Sequence, residues 1–302
     1  APIAAAQIGP RDFCSAQMEI SGIAADFTRW LGEGNLTGMH IILYVLDALR
    51  ADHLGCFGYE REITPNMDRL AREGVVFENC FTSTTWTRPV AASLLTGAYP
   101  AVHQTRSRDN MFSVNLKRLP EMLQANGFET AAFNTMGNIA GEIGFNRGFD
   151  HYFDLFREPK LIAKRQKLNA AKEGLLHTAE SEIALPLAED INDYLLPWLT
   201  ERREQNTFSF IWSIETHEPY GAPEPFYRYS GSVRHPGEGE SDDIRSAGPE
   251  DSDRLRNLYD DGILYNDHCL GLLIDEIKQL GLYDDTLFII VGDHGEAFYE
   301  HG

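Results

Sequence analysis

Two apolar runs in this 302-residue chain stop abruptly on carboxylates. Ile41-Ile42-Leu43-Tyr44-Val45-Leu46 ends on Asp47, and Leu287-Phe288-Ile289-Ile290-Val291-Gly292 ends on Asp293, with His294 next to it. An acid at the end of a buried parallel strand lies where open α/β sheets place their ligand crevice. Two such strands in one sheet would bring Asp47, Asp293 and His294 together from almost opposite ends of the chain. Two carboxylates and an imidazole converging at strand ends suit a divalent metal. A nucleophile lies between them, in Thr84-Thr85-Trp86-Thr87-Arg88-Pro89-Val90-Ala91-Ala92-Ser93-Leu94-Leu95-Thr96-Gly97. This segment reads as a short helix closed by Gly97, with Pro89 in its first turn and Thr87 in the N-cap region. A hydroxyl there faces unpaired backbone N–H groups and the positive end of the helix dipole, which favours an alkoxide and receives an anionic phosphoryl or sulfuryl group.

Each residue also has an ordinary account when taken alone. Asp47 would be a strand-end carboxylate, Thr87 a helix cap, His217 a hydrogen-bonded loop histidine and Arg88 a solvated or salt-bridged cation. Tyr220 and Trp86 read as packing.

The elements that must position these groups follow from periodicity. Residues 1–38 carry no clear period beyond a short helical candidate at Ala24–Leu31 and a break at Gly32-Glu33-Gly34. From about residue 39 the pattern alternates strand and helix, which predicts one layered α/β domain over 39–302. Thr64 is a predicted N-cap with Pro65 at the first helical position, and that helix ends near Gly74, where Val75-Val76-Phe77 begins an apolar segment. A second helix is expected over Leu116–Asn126, a strand over Glu129–Thr135, and a helix over Leu185–Glu204 despite Pro186 and Pro197. A strand follows at Thr207–Trp212, then a long helix over Asp253–Leu280. The Lys- and Glu-rich stretch 157–182 reads as a surface helix or lid, and 231–253 has the composition of a mobile loop.

Composition sets outer bounds. Hydrophobic residues make up 43% of the chain, ample for a core, and the formal net charge of −20 leaves no basic stripe for a nucleic-acid partner. Cys14, Cys56, Cys80 and Cys269 are widely spaced and read as ordinary, half-buried thiols, with disulfides still open. No apolar run reaches the roughly 18 residues of a membrane helix, and Ala1–Ala6 lacks the basic n-region of a signal peptide. Both ends look cut. The cytoplasm is the favoured location on this basis, with a lost leader left open.

Six segments, in order, resemble the sulfatase family of the alkaline phosphatase superfamily: Val45–Tyr59, Thr64–Ala71, Ser93–Pro100, Gly144–Asp150, Thr216–Tyr220 and Gly292–Glu296. The resemblance spans about residues 40–302. It implies an α/β fold, the alkaline phosphatase/sulfatase-like three-layer sandwich with a mostly parallel central sheet, here C-terminally truncated because family members continue past the Asp-His-Gly-Glu segment. It implies Asp47, Asp293, His294 and the Thr87 oxygen as metal ligands, Thr87 as nucleophile, and His217 as the histidine that contacts the transferred group or the leaving oxygen. Arg88 is a candidate to meet charge on the transferred group, and His301 a further candidate ligand or substrate contact.

The departures from the family bear on the substrate. Sulfatases carry Cys or Ser in a Cys-x-Pro-x-Arg pattern and oxidise it to formylglycine. Here the segment is Thr87-Arg88-Pro89-Val90-Ala91. Oxidised threonine is a ketone, and Ala91 replaces the motif arginine, so no formylglycine is expected. Threonine nucleophiles occur in relatives that hydrolyse or transfer phosphoesters. Ala48 stands where sulfatases often carry another metal-binding Asp, and Asn134–Asn138 stands where they carry a Lys and a His.

The expected function is therefore a metal-dependent hydrolase or transferase of phosphate esters, diesters favoured, acting on a small-molecule, lipid or glycan ester. Mn²⁺ or Zn²⁺ is the expected ion, with Ca²⁺ possible. The alternatives are a sulfuric ester hydrolase with an atypical nucleophile, and a catalytically silent relative that keeps the fold as a binding module.

Overall fold

The computed structural model describes residues 38–112, 115–164, 187–218, 220, 222–231 and 248–300. The expected lead-in helix at Ala24–Leu31, most of the 157–182 and 231–253 segments, Cys14 and His301 lie outside them.

Apolar runs without polar alternation need cover on both faces, which is the signature of a parallel sheet between helical layers. Five strands form, β1 and β5 built on such runs: β1 (His40–Leu46), β2 (Glu129–Asn134), β3 (His151–Asp154), β4 (Thr207–Ser213) and β5 (Thr286–Gly292). They make one sheet in the order β3-β2-β4-β1-β5, every pair parallel. β1 separates its side chains by the period of two. Ile42, Tyr44 and Leu46 enter one core and Ile41, Leu43 and Val45 the other.

The first core is closed by three helices: α1 (Pro65–Glu73) with Met67, α4 (Ala188–Glu201) with Ile191, Leu195 and Trp198, and α5 (Ser252–Gln279) with Leu258 to Ile277. The second is closed by α2 (Thr87–Thr96), through Ala91, Ala92 and Leu95, and by α3 (Leu119–Gln124), through Leu123. These layers are the expected three-layer sandwich. β5 forms one edge of the sheet and β3 the other, and Ile289 of β5 is 41% exposed.

Local differences from the sequence reading have local causes. α3 starts three residues later than expected because Pro120 must sit in a first turn, and the Glu121 carboxylate accepts the Arg118 N–H at 2.9 Å. Thr64 takes the N-cap position of α1 as expected, but its side chain makes no capping bond. Its hydroxyl accepts the Gly55 N–H at 2.9 Å, and the first-turn N–H groups of Asn66 and Met67 go instead to the Asp267 carboxylate on α5. Val75, Val76 and Phe77 form no strand and stand exposed. Of the cysteines, Cys269 is buried, while Cys56 and Cys80 are exposed rather than half-buried; none of the three is bridged. No described helix is long and apolar enough to cross a membrane.

Candidate metal and nucleophile site

Strand register assembles the site. Leu46 pairs with Ser213 on one side and Gly292 on the other, so Asp47 and Asp293 emerge side by side one residue beyond the paired ends. The backbone ladder continues into them. Asp47 N–H donates to Ser213 O at 2.9 Å and Asp293 N–H to Leu46 O at 3.4 Å.

Both carboxyls are fully buried. Asp47 Oδ2 accepts the Trp212 indole N–H at 2.9 Å, and the Asp47 carbonyl accepts the Thr216 hydroxyl at 2.5 Å. Asp293 Oδ1 accepts two backbone N–H groups, from Ala48 at 2.8 Å and His294 at 2.7 Å. Asp293 Oδ2 is buried with no hydrogen-bond donor. His294 Nδ1 lies 2.8 Å from Gly295 O. A carbonyl only accepts, so Nδ1 carries the proton and Nε2 presents its lone pair. That Nε2 is 3.3 Å from Asp293 Oδ2 and 3.6 Å from Asp47 Oδ1.

Thr87 meets this group from the opposite helical layer. It is the first residue of α2 rather than its cap, which is Trp86. Its Oγ1 lies 3.3 and 3.4 Å from the two Asp47 oxygens and 3.4 Å from His294 Nε2.

Electrostatics explain why such a cluster wants a cation. Burial raises the Asp47 carboxyl, opposed by His217, Trp212, His294 and Thr87. Burial and then the Asp47 charge push Asp293 up to about 8. Two carboxylates in a dry site repel, and their donors replace only part of the hydration they lose. The ligand atoms of Asp47, Asp293 and His294 lie within 4.8 Å of one another. With the orphaned Asp293 Oδ2, the free Nε2 lone pair and the Thr87 oxygen, this donor set fits a divalent ion.

His217 belongs to the same field, since its positive form favours ionisation of both Asp47 and Asp293. Its Nδ1 donates to Glu218 O at 2.5 Å. Arg88 is placed differently. It is only 7% exposed, and its guanidinium donates to the carbonyls of Asn138 at 2.9 Å, Asn110 at 3.3 Å and Arg108. It fastens the start of α2 to two loops, and no ion pair holds it among the described residues.

The family departures have structural counterparts. Ala91 packs in the second core at 0% exposure. Ala48 is buried with a left-handed φ of 60°, an unusual setting for a residue with a Cβ. Asn134 is spent on its own loop, bonding Met136 and Asp154. Beside the start of α2 lies an open cavity of about 520 Å³ walled by Ser83, Thr84, Trp86, Pro89, Tyr99 and Arg106 among others.

The chain belongs to the sulfatase family, whose model matches residues 39–302. Mouse iduronate 2-sulfatase is 24% identical over 320 residues, covering 90% of this chain and 57% of its own length. Among solved structures, the phosphonate monoester hydrolase of Agrobacterium radiobacter aligns with a TM-score of 0.68 at 21% identity, over 87% of this chain and 64% of that one. The C-terminal periplasmic domain of EptC from Escherichia coli, in complex with zinc, aligns with a TM-score of 0.61 at 18% identity, over 89% and 67%. The chain thus spans little more than half the length of the mouse relative.

Proposed function

We propose that this chain carries the catalytic site of a metal-dependent phosphoester hydrolase or transferase, diesters favoured, in which Thr87 is the covalent nucleophile. The observation that carries the reading is the position of Thr87 Oγ1, within 3.4 Å of Asp47 and His294. Asp47, Asp293, His294 and the Thr87 oxygen would hold the ion. A bound divalent cation supplies positive charge that lowers the pKa of the hydroxyl and offsets the carboxylate repulsion.

The chain's own residues account for the rest. The Thr87 hydroxyl donates toward Asp47, which orients the oxygen lone pairs outward for attack on phosphorus. As the Thr87 Oγ–P bond forms, the hydroxyl proton passes to Asp47, the bond from phosphorus to the leaving oxygen breaks, and His217 in its doubly protonated form gives its Nε2 proton to that oxygen. The N-terminal N–H groups of α2 meet the anionic transferred group. Arg88 acts by holding that helix end in place. Water or an acceptor alcohol then releases the group from Thr87.

Threonine itself, with apolar Ala91 where the sulfatase arginine stands, supports phosphorus chemistry without formylglycine; likeness in fold to the phosphonate monoester hydrolase agrees. The sulfatase relatives support the second reading, sulfate ester hydrolysis. The test follows nitrophenol release from a phosphate diester, a phosphate monoester and an aryl sulfate, apo and with Mn²⁺, Zn²⁺ or Ca²⁺. Metal-dependent turnover led by the diester supports the proposal. Dominant aryl sulfate turnover moves the assignment to the second reading, and no turnover with no metal retained leaves a silent binding module.

A further inference from the structure

The turn that follows Asp47 is held from outside the site. Tyr259 lies on α5, fully buried, in T-shaped contact with the rings of Tyr220 and Phe298. Its hydroxyl donates to Ala48 O at 2.7 Å and accepts the Arg50 N–H at 2.8 Å. One phenol oxygen therefore bridges residues 48 and 50 and closes the turn. Burial keeps the phenol protonated and so able to donate.

The turn it closes is strained. At φ 60° the Ala48 Cβ crowds the following carbonyl, at a cost that glycine does not carry. The consequence of the strain is an aimed donor: the Ala48 N–H points at Asp293 Oδ1. With the His294 N–H on the same oxygen, Oδ1 is occupied and Oδ2 is the atom turned toward His294 Nε2. Relaxing Ala48 toward an ordinary negative φ would swing its N–H away and leave the Asp293 carboxyl free to rotate. Arg50 ties the same two loops together again, donating to Glu296 O at 2.9 Å and to Glu300 at 2.6 Å.

We infer that Tyr259 is a positioning residue: its hydroxyl holds Ala48 in the left-handed conformation that presents Asp293 Oδ2 to the metal. The inference rests on the metal reading above. It assigns Tyr259 no contact with substrate or ion, since it acts through Ala48.

The test is calorimetric titration of Mn²⁺ and Zn²⁺ into the full chain, well below its unfolding temperature, for the unmodified protein, Tyr259→Phe, Ala48→Gly and the double variant. Tyr259→Phe keeps the ring packing and is expected to weaken metal binding about tenfold, the scale of losing a hydrogen-bond partner that orients a ligand. Glycine adopts a positive φ without help, so Ala48→Gly is expected to restore most of that loss in the double variant. A purely structural tyrosine would lower the melting temperature without moving the dissociation constant. An unchanged constant in Tyr259→Phe, or a loss that Ala48→Gly does not reduce, overturns the inference while leaving the metal reading intact. No binding by the unmodified chain overturns both.

Discussion

The indole N–H of Trp212 donates to Asp47 Oδ2 at 2.9 Å across 165 positions of sequence. Both groups are fully buried, so this bond replaces hydration that the carboxylate has lost. Trp212 stands beside Val45 in the β4–β1 register, and its side chain shares the second core with Phe210 and Ala91. Trp212→Phe keeps an aromatic ring but removes the donor. Leaving a buried acceptor without its donor costs about 1–3 kcal/mol, so a loss of that size is expected in urea unfolding. A variant as stable as the parent would mean that Asp47 finds another donor.

Asp293 separates apo stability from metal binding. Its carboxyl is lifted to about 8 by burial and by Asp47, so its charge is unfavourable without a cation. Asp293→Asn is therefore expected to melt no lower than the parent in the presence of chelator. The parent should gain about 2.7 kcal/mol from a divalent ion at a hundredfold excess over its dissociation constant. The variant should gain little. Equal gains in both proteins would place the ion elsewhere.

The Asp267 carboxylate accepts the Asn66 N–H at 3.0 Å and the Met67 N–H at 2.8 Å, capping α1 from α5. Burial lifts this carboxyl to about 6, against the backbone donors that favour its charge. Below the unfolded value of about 3.9 both states are protonated and the group is neutral toward folding. Between about pH 4 and 6 only the unfolded chain ionises, so stability falls as pH rises through that window, and the full penalty remains above it. Two pH units at about 1.4 kcal/mol each set an upper bound near 3 kcal/mol. The stability difference between the parent and Asp267→Asn should shift by up to that amount between pH 4 and pH 7. A difference that does not change with pH would contradict the assignment.

What could be read from the sequence was whatever the chain carries locally. β1 and β5 are unbroken apolar runs ending on acids, and their ends meet as the patterning predicts. Thr87 precedes Pro89 at the start of a helix, and the helix is there. The groups that orient the ligands were not legible. Trp212 reads as one more strand residue, Tyr259 as one more apolar position on a long helix, and Thr216 as part of a loop motif. Each acts through a partner fixed only by the pairing of remote elements. Arg88 shows the same limit, because its carbonyl partners at 108–110 and 138 carry no side-chain signal. Thr64 shows the converse: the local pattern places the N-cap correctly, yet the capping bonds come from a buried carboxylate on another helix.

The most direct measurement of the central claim is mass spectrometry of the peptide containing Thr87, after acid quench of the metal-loaded protein during turnover of a nitrophenyl phosphate diester. A phosphodiester adduct on Thr87 Oγ is expected to appear with nitrophenol release. Thr87→Ala is expected to lower turnover by about 10³-fold or more, as loss of a covalent nucleophile does. Undiminished turnover in Thr87→Ala, or an adduct on another residue, would contradict the nucleophilic role of Thr87.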